Sequence, residues 1–129
     1  MKRVRSAGGV VIQNDRALLV KKDGKFAFAK GHIQDGETDE EAACRELLEE
    51  TGYVTKILKK LGAFSRSSKE DGGKVVDKDI TMYLMTSRQQ EDMKLEEEPV
   101  WIMINEALNG MLYPEEKEFL LTHLDAAQN

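Results

Sequence analysis

The 129 residues include a single cysteine, Cys44, and two prolines, Pro99 and Pro114. One thiol cannot close an internal disulfide, so the fold must rest on its core, and the pattern suits a reducing compartment. Only two histidines are present, His32 and His123, with no metal-ligand spacing between them, which argues against a zinc site. No apolar run approaches the roughly 20 residues of a membrane-spanning helix. At the start, MKRVR precedes a short apolar run that polar QNDR closes, too little for the core of a signal peptide. The expected location is therefore the cytoplasm, without membrane association. Basic charge is also short: 19 Lys and Arg stand against 24 Asp and Glu, a formal charge of −5. That argues against stable nucleic-acid binding through a broad basic surface. A small phosphate-bearing partner is still compatible, because a bound divalent cation reverses the local sign.

Hydrophobic residues make up 40% of the chain and charged ones 33%, the balance of an ordinary globular protein. No linker-like tract, repeat or low-complexity segment interrupts it, so residues 1–129 are read as one domain. Val4 to Gln13 is apolar and β-branched, Asn14-Asp15 signals a turn, and Ala17 to Val20 continues as a second strand, a hairpin pattern. Asp23-Gly24 marks another turn, Phe26 to Phe28 a short strand, and Lys30 to Glu37 a loop. Thr38 then offers an N-cap with Glu41 three residues on, a capping box, and Gly52 offers a stop, so a helix is predicted to Thr51. Tyr53–Ser67 and Val75–Thr86 read as strands around a hairpin loop, KEDGGK. Ser87–Glu98 reads as an acidic loop and Val100–Ile104 as a strand. Asn105 is expected to cap a short helix, and Pro114 to open a last helix running to about Ala127, since proline suits a first turn. Strands, one early helix, more strands and closing helices predict an α/β fold with a mixed sheet.

The early helix carries Glu46, Glu49 and Glu50. Residues three and four apart share a helix face, so these carboxylates fall within about 100° of arc. Ala43 with Leu47, and Cys44 with Leu48, can face a core instead. A glutamate-rich face is usually a solvated one laced with ion pairs. Here Arg45 is the only cation between Lys30 and Lys56, and like charges at this spacing repel. A cation between them would relieve that cost, and oxygen donors alone suit Mg²⁺ or Mn²⁺. Gly31 before the helix and Gly52 after it let backbone approach a ligand closely.

Gly31, Glu37, Arg45-Glu46-Leu47-Leu48-Glu49-Glu50 and Gly52-Tyr53 resemble the Nudix box, G-x5-E-x7-R-E-U-x-E-E-x-G-U. Every fixed position matches. Tyr53 stands at the closing U, outside the fixed positions, where the family usually has an aliphatic. SAGGVV and FAFAKGHI before and within the box, and WIMINEAL after it, are similar to the same family, so the likeness spans most of the chain. It implies an α/β/α sandwich with a mixed sheet and a loop–helix–loop catalytic motif. It also implies Mg²⁺- or Mn²⁺-dependent hydrolysis of a nucleoside diphosphate linked to another moiety.

By that resemblance, Glu49 and Glu50 are the principal metal ligands, helped by the carbonyl of Gly31. Glu46 is a further ligand and a candidate to activate the attacking water. Arg45 orients the glutamates, Glu37 pairs with Arg45, and Gly52 is structural. Glu96, Glu97 or Glu98 could add an outer ligand or base, with Glu97 or Glu98 favoured; the plainer alternative is a solvated acidic loop. Lys30 and Arg5 are candidates for substrate phosphates, or else surface charge. Phe28, Phe64 and Tyr83 are candidates to stack on a base, or else core. The KGHI context is similar to small dinucleoside polyphosphate hydrolases, which makes a substrate such as diadenosine tetraphosphate the favoured one. That branch usually carries a proline at the position of Ala29 and a tyrosine beyond the box, where this chain reads SKEDGG. Oxidised nucleoside triphosphates and diphosphoinositol polyphosphates stay open as alternative substrates. A non-catalytic nucleotide-sensing module is the alternative of another class.

Overall fold

The computed structural model describes residues 2–128, apart from the side chain of Asp71. Met1 and Asn129, the outermost residues of the expected domain, lie outside the described residues. Seven strands form one mixed sheet: β1 (Arg3–Gln13), β2 (Arg16–Lys22), β3 (Lys25–Ala27), β4 (Ala29–His32), β5 (Tyr53–Lys69), β6 (Val75–Gln90) and β7 (Glu98–Met103). Three helices accompany them: α1 (Asp39–Thr51), α2 (Ile104–Asn109) and α3 (Pro114–Gln128). No described helix is long and apolar enough to cross a membrane.

The first hairpin turns at Asn14 and Asp15, with φ of 53° and 63°. Both values are positive, as in the type I′ turn that matches strand twist. β1 and β6 run parallel from Arg3↔Asp77 to Val11↔Met85, and the other strand pairs are antiparallel. The other edge of β1 is divided. β4 takes Ser6–Gly9, and β2 takes Ile12 and Gln13. The chain therefore leaves β2 after β3, passes through Phe28, and joins β1 as β4.

Alternation along the strands separates two cores. Ala7, Val11, Leu18, Val20 and Tyr83 face α1 with Ala43 and Leu47. Val10, Ala17, Leu19, Ile80 and Met82 face α2 and α3 with Ala107, Phe119 and Leu120. Helices thus cover both faces of the mixed sheet, the α/β arrangement expected.

Three local expectations need correction. Residues 30–32, expected to open a loop, belong to β4, because their backbone finds partners on β1. β6 runs on to Gln90, four residues past Thr86, paired through Tyr53↔Gln90. The helix α2 begins at Ile104, and Met103 occupies the capping position without a side-chain bond. Asn105 lies inside this helix, so it does not cap it.

Candidate active site

The helix α1 starts as its sequence directs. Thr38 accepts the N–H of Glu41 at 3.1 Å, and Glu41 accepts the N–H of Thr38 at 2.9 Å. It stops at Gly52, whose φ of 79° and N–H bond to the Leu48 carbonyl close the last turn, a conformation glycine adopts without a Cβ penalty. Ala42, Ala43 and Leu47 seat the helix on the sheet, which turns Glu46 and Glu50 toward β4.

Gly31 on β4 lies directly beneath Glu46. A Cβ on Gly31 would stand 2.3 Å from the Glu46 carboxyl carbon. That is far inside van der Waals contact, so the carboxylate occupies the volume a side chain would need. Glu50 accepts the N–H of Lys30 at 3.1 Å. Arg45 uses all of its donors: Glu37 twice (2.6 and 3.0 Å), Glu46 (2.7 Å), Glu49 (3.1 Å) and the His32 carbonyl (2.9 Å). One guanidinium nitrogen bridges Glu46 and Glu49, so the glutamates are oriented together. Glu37 also accepts the N–H of Gln34 at 2.8 Å, which ties the loop to the helix. The pairing of Glu37 with Arg45 is therefore present.

The charges follow from this packing. Hydrogen bonding from Arg45 holds the Glu37 carboxyl below its usual range, and the same bonds raise the Arg45 guanidinium. Burial pushes Glu46 up against the pull of Arg45, and the nearby charges of Glu49 and Glu96 add to the rise. Burial lifts Glu50 to about 7, although the Lys30 N–H favours its charged form. Raised carboxyls this close together favour an added positive charge between them.

The strand register alters one expected role. Ile33 donates its N–H to Arg5 of β1 at 3.0 Å, so residues 31 and 33 share the edge turned to β1, and Gly31 faces Ala7. In an antiparallel ladder the N–H and C=O of one residue point to the same edge. The carbonyl on the open edge beside Glu50 is thus that of Lys30, not that of Gly31. Among the described residues, no three His, Cys, Asp or Glu side chains are already gathered as a metal cluster. The donors still fit a hard divalent ion: three carboxylates on adjacent turns, one of them filling the space above Gly31, and a carbonyl on an unpaired strand edge.

The remaining candidates separate. Lys30 turns its ammonium onto Glu116 at 2.6 Å, with its side chain 7% exposed, so it is neither surface charge nor free beside the glutamates. Arg5 is exposed and paired with Asp39. It lines a cavity of about 430 Å³ together with Arg3, Val4 and residues 32–37. Tyr83 belongs to the α1-side core and donates to Glu40 at 2.7 Å. Phe64 packs on the opposite face with Phe28 and Phe119, ring centroids 6.2 and 5.1 Å away. Phe64 and Tyr83 therefore cannot clasp one base. Glu97 pairs with Lys22 at 3.5 Å and Glu98 enters β7 opposite Lys21; the acid whose charge is felt at Glu46 is Glu96. Tyr53 stacks edge-on against Trp101 and accepts its indole N–H at 2.9 Å, so the aromatic at that box position is packed.

Glu116 escaped the sequence reading. It is fully buried and accepts the N–H of Phe28 at 2.8 Å. Phe28 is the one residue between β3 and β4, so the carboxylate satisfies a donor that neither ladder can. A signal existed: Glu116, Phe119 and Leu120 stand at helical spacing, which puts an acid on the apolar stripe of α3.

A family model described as the NUDIX domain matches residues 2–122. With that box helix seated on this mixed sheet, the chain belongs to the Nudix hydrolase family. It is 33% identical over 128 residues to a putative mutator protein MutT4 of Mycobacterium tuberculosis, covering 87% of this chain and 51% of that protein. It is 36% identical over 73 residues to an ADP-ribose pyrophosphatase of Methanocaldococcus jannaschii, covering 53% of this chain and 43% of that one. The chain thus spans about half the length of these curated relatives. The crystal structure of a mutator MutT protein from Bacillus halodurans superposes with a TM-score of 0.75 at 25% identity, covering 94% of this chain and 81% of that one.

Proposed function

We propose that residues 1–129 act as a single-domain pyrophosphohydrolase dependent on Mg²⁺ or Mn²⁺. It cleaves a nucleoside diphosphate linked to another moiety, with dinucleoside polyphosphates as the favoured substrates. The observation that carries this reading is the convergence of Glu46 over Gly31, Glu50 on the Lys30 N–H, and Glu46 with Glu49 on one nitrogen of Arg45. Glu46, Glu49, Glu50 and the Lys30 carbonyl would hold the ion. When bound, it supplies positive charge against the non-bridging phosphate oxygens and acidifies the attacking water. Arg45 keeps Glu46 and Glu49 in register and Glu37 keeps Arg45 in place. Glu46, placed over Gly31 and oriented by Arg45, would accept the proton of the water. One of Glu96, Glu97 and Glu98 would add an outer acid, and Glu96 is the one of the three whose charge reaches Glu46. Hydrolysis of diadenosine tetraphosphate, nucleoside triphosphates and ADP-ribose with Mg²⁺, followed by phosphate-product chromatography, tests the reading. Turnover of at least one substrate, abolished by Glu50→Gln, is expected; no turnover of any, or full activity in the variant, refutes it.

A further inference from the structure

The strand β4 is four residues long, and among the described residues it pairs with β1 alone. A short strand with one neighbour has few ladder bonds to fix its place. Its open edge nevertheless presents the Lys30 carbonyl beside Glu50. Mg²⁺ demands near-ideal octahedral geometry, so a backbone ligand on this edge has to be held by something besides the ladder.

Side chains alternate along this segment. Ala29 and Gly31 face α1, whereas Phe28 and Lys30 face α3. Glu116, fully buried in the first turn of α3, meets both of the latter. One of its carboxylate oxygens accepts the Phe28 N–H at 2.8 Å. The other stands 2.6 Å from the Lys30 ammonium. Among the described residues that oxygen finds no aligned hydrogen bond, so charge holds the pair. The ammonium also donates to the Phe28 carbonyl at 3.4 Å, which folds the side chain back along its own strand. Gly8 faces Lys30 in the ladder, and a Cβ there would collide with the Ala29 carbonyl oxygen and the Lys30 Cβ. Residue 30 is thus gripped from both faces of the sheet. Glu50 of α1 holds its N–H, and Glu116 of α3 holds its side chain. Stability alone does not ask for a charged pair at such a place, because well-packed apolar side chains of similar volume often serve as well or better. A carboxylate with two targets two residues apart adds a fixed position for the backbone between them.

We propose that Glu116 is a positioning residue for the metal site. Through the Phe28 N–H and the Lys30 ammonium it sets β4 so that the Lys30 carbonyl meets the ion held by Glu46, Glu49 and Glu50. The role rests on the pyrophosphohydrolase reading, in which that carbonyl is a ligand. Glu116 acts from the opposite face of the sheet and does not touch the ion. Groups that orient metal ligands in this way typically govern affinity by about 10–100-fold.

Mn²⁺ titration, followed through the electron paramagnetic resonance of the free ion, tests the role in wild type, Glu116→Gln and Lys30→Met/Glu116→Gln, each well below its melting midpoint. The wild type is expected to bind Mn²⁺, and both variants to bind about tenfold or more weakly. The double variant separates positioning from stability. With both members of the pair gone much of the stability returns, but the anchor does not, so metal affinity should stay low. A merely structural pair predicts an affinity that recovers with stability. Folded variants that bind Mn²⁺ within about twofold of the wild type, against the loss expected of an orienting group, overturn the role and leave the pyrophosphohydrolase reading standing. A wild type that binds no Mn²⁺ overturns that reading and the role with it. A second measurement needs no variant. Coupling between sites is reciprocal, so Mg²⁺ added to the wild type should shift the nuclear magnetic resonances of the Lys30 ammonium and the Glu116 carboxyl along with that of the Lys30 carbonyl. A carbonyl that responds to Mg²⁺ while the ammonium and the carboxyl stay still overturns the role even if neither variant folds.

Discussion

Replacing Glu116 by glutamine removes one negative charge from a fully buried position while keeping its shape. The amide oxygen can still accept the Phe28 N–H that Glu116 now takes at 2.8 Å. The Lys30 ammonium, 2.6 Å away, loses its counter-charge, and so does Arg66 at 3.8 Å. Breaking a buried pair from one side costs about 3–5 kcal/mol, because the abandoned charge stays in low dielectric. For a domain of this size that is roughly 10–20 °C in Tm. Against a total stability of about 5–15 kcal/mol the variant should still fold. Glu116→Ala also orphans the Phe28 N–H and should lose about 1–3 kcal/mol more. The double variant Lys30→Met/Glu116→Gln removes both members of the pair and should recover a large part of the loss, because the coupling belongs to the pair. Urea titrations followed by circular dichroism measure all three. A loss below about 1 kcal/mol for Glu116→Gln, the size of a surface pair, or a double variant no more stable than the single one, refutes the reasoning.

Other consequences are as direct. Gly31→Ala places a methyl 2.3 Å from the Glu46 carboxyl carbon; kcat should fall about a hundredfold with about 1–3 kcal/mol lost in stability, as steady-state kinetics and thermal melts would show. Arg45→Lys cannot span Glu37, Glu46, Glu49 and the His32 carbonyl with one ammonium, so hydrolysis should drop about 10–100-fold, whereas wild-type rates would contradict the bridging role. In metal-free protein, burial lifts the Glu50 carboxyl to about 7 from an ordinary 4.5. A raised carboxyl favours the fold fully below its unfolded value, and that contribution is lost as pH rises through the folded one. Wild type in EDTA should thus lose up to about 3 kcal/mol relative to Glu50→Gln between pH 4.5 and 7, read from urea midpoints. A flat difference across that window contradicts the burial. Trp101→Phe keeps the ring contact with Tyr53 but loses the indole bond of 2.9 Å, and should cost about 1 kcal/mol in a thermal melt.

Much of this protein was written in local pattern. The capping box of Thr38 and Glu41, the stop at Gly52, the hairpin at Asn14-Asp15 and the helix opened by Pro114 each depend on neighbours within about a turn, and the fold keeps them all. The spacing of Glu46, Glu49 and Glu50 likewise fixed one carboxylate stripe before any tertiary contact. Pairing across distance was not legible. That residues 30–32 belong to a strand, and that the open-edge carbonyl belongs to Lys30, depends on which edge of β1 they meet. That Lys30 turns inward depends on Glu116, 86 positions later and visible only as an acid on an apolar stripe. Phe64 and Tyr83 look alike as aromatics in strands, yet the sheet sends them to opposite faces. Sequence alone determined the box helix, its caps, the first hairpin turn and the carboxylate stripe, because short-range sterics and hydrogen bonding select them. Tertiary structure decided which charges are buried together, because desolvation depends on what the remote chain packs above them.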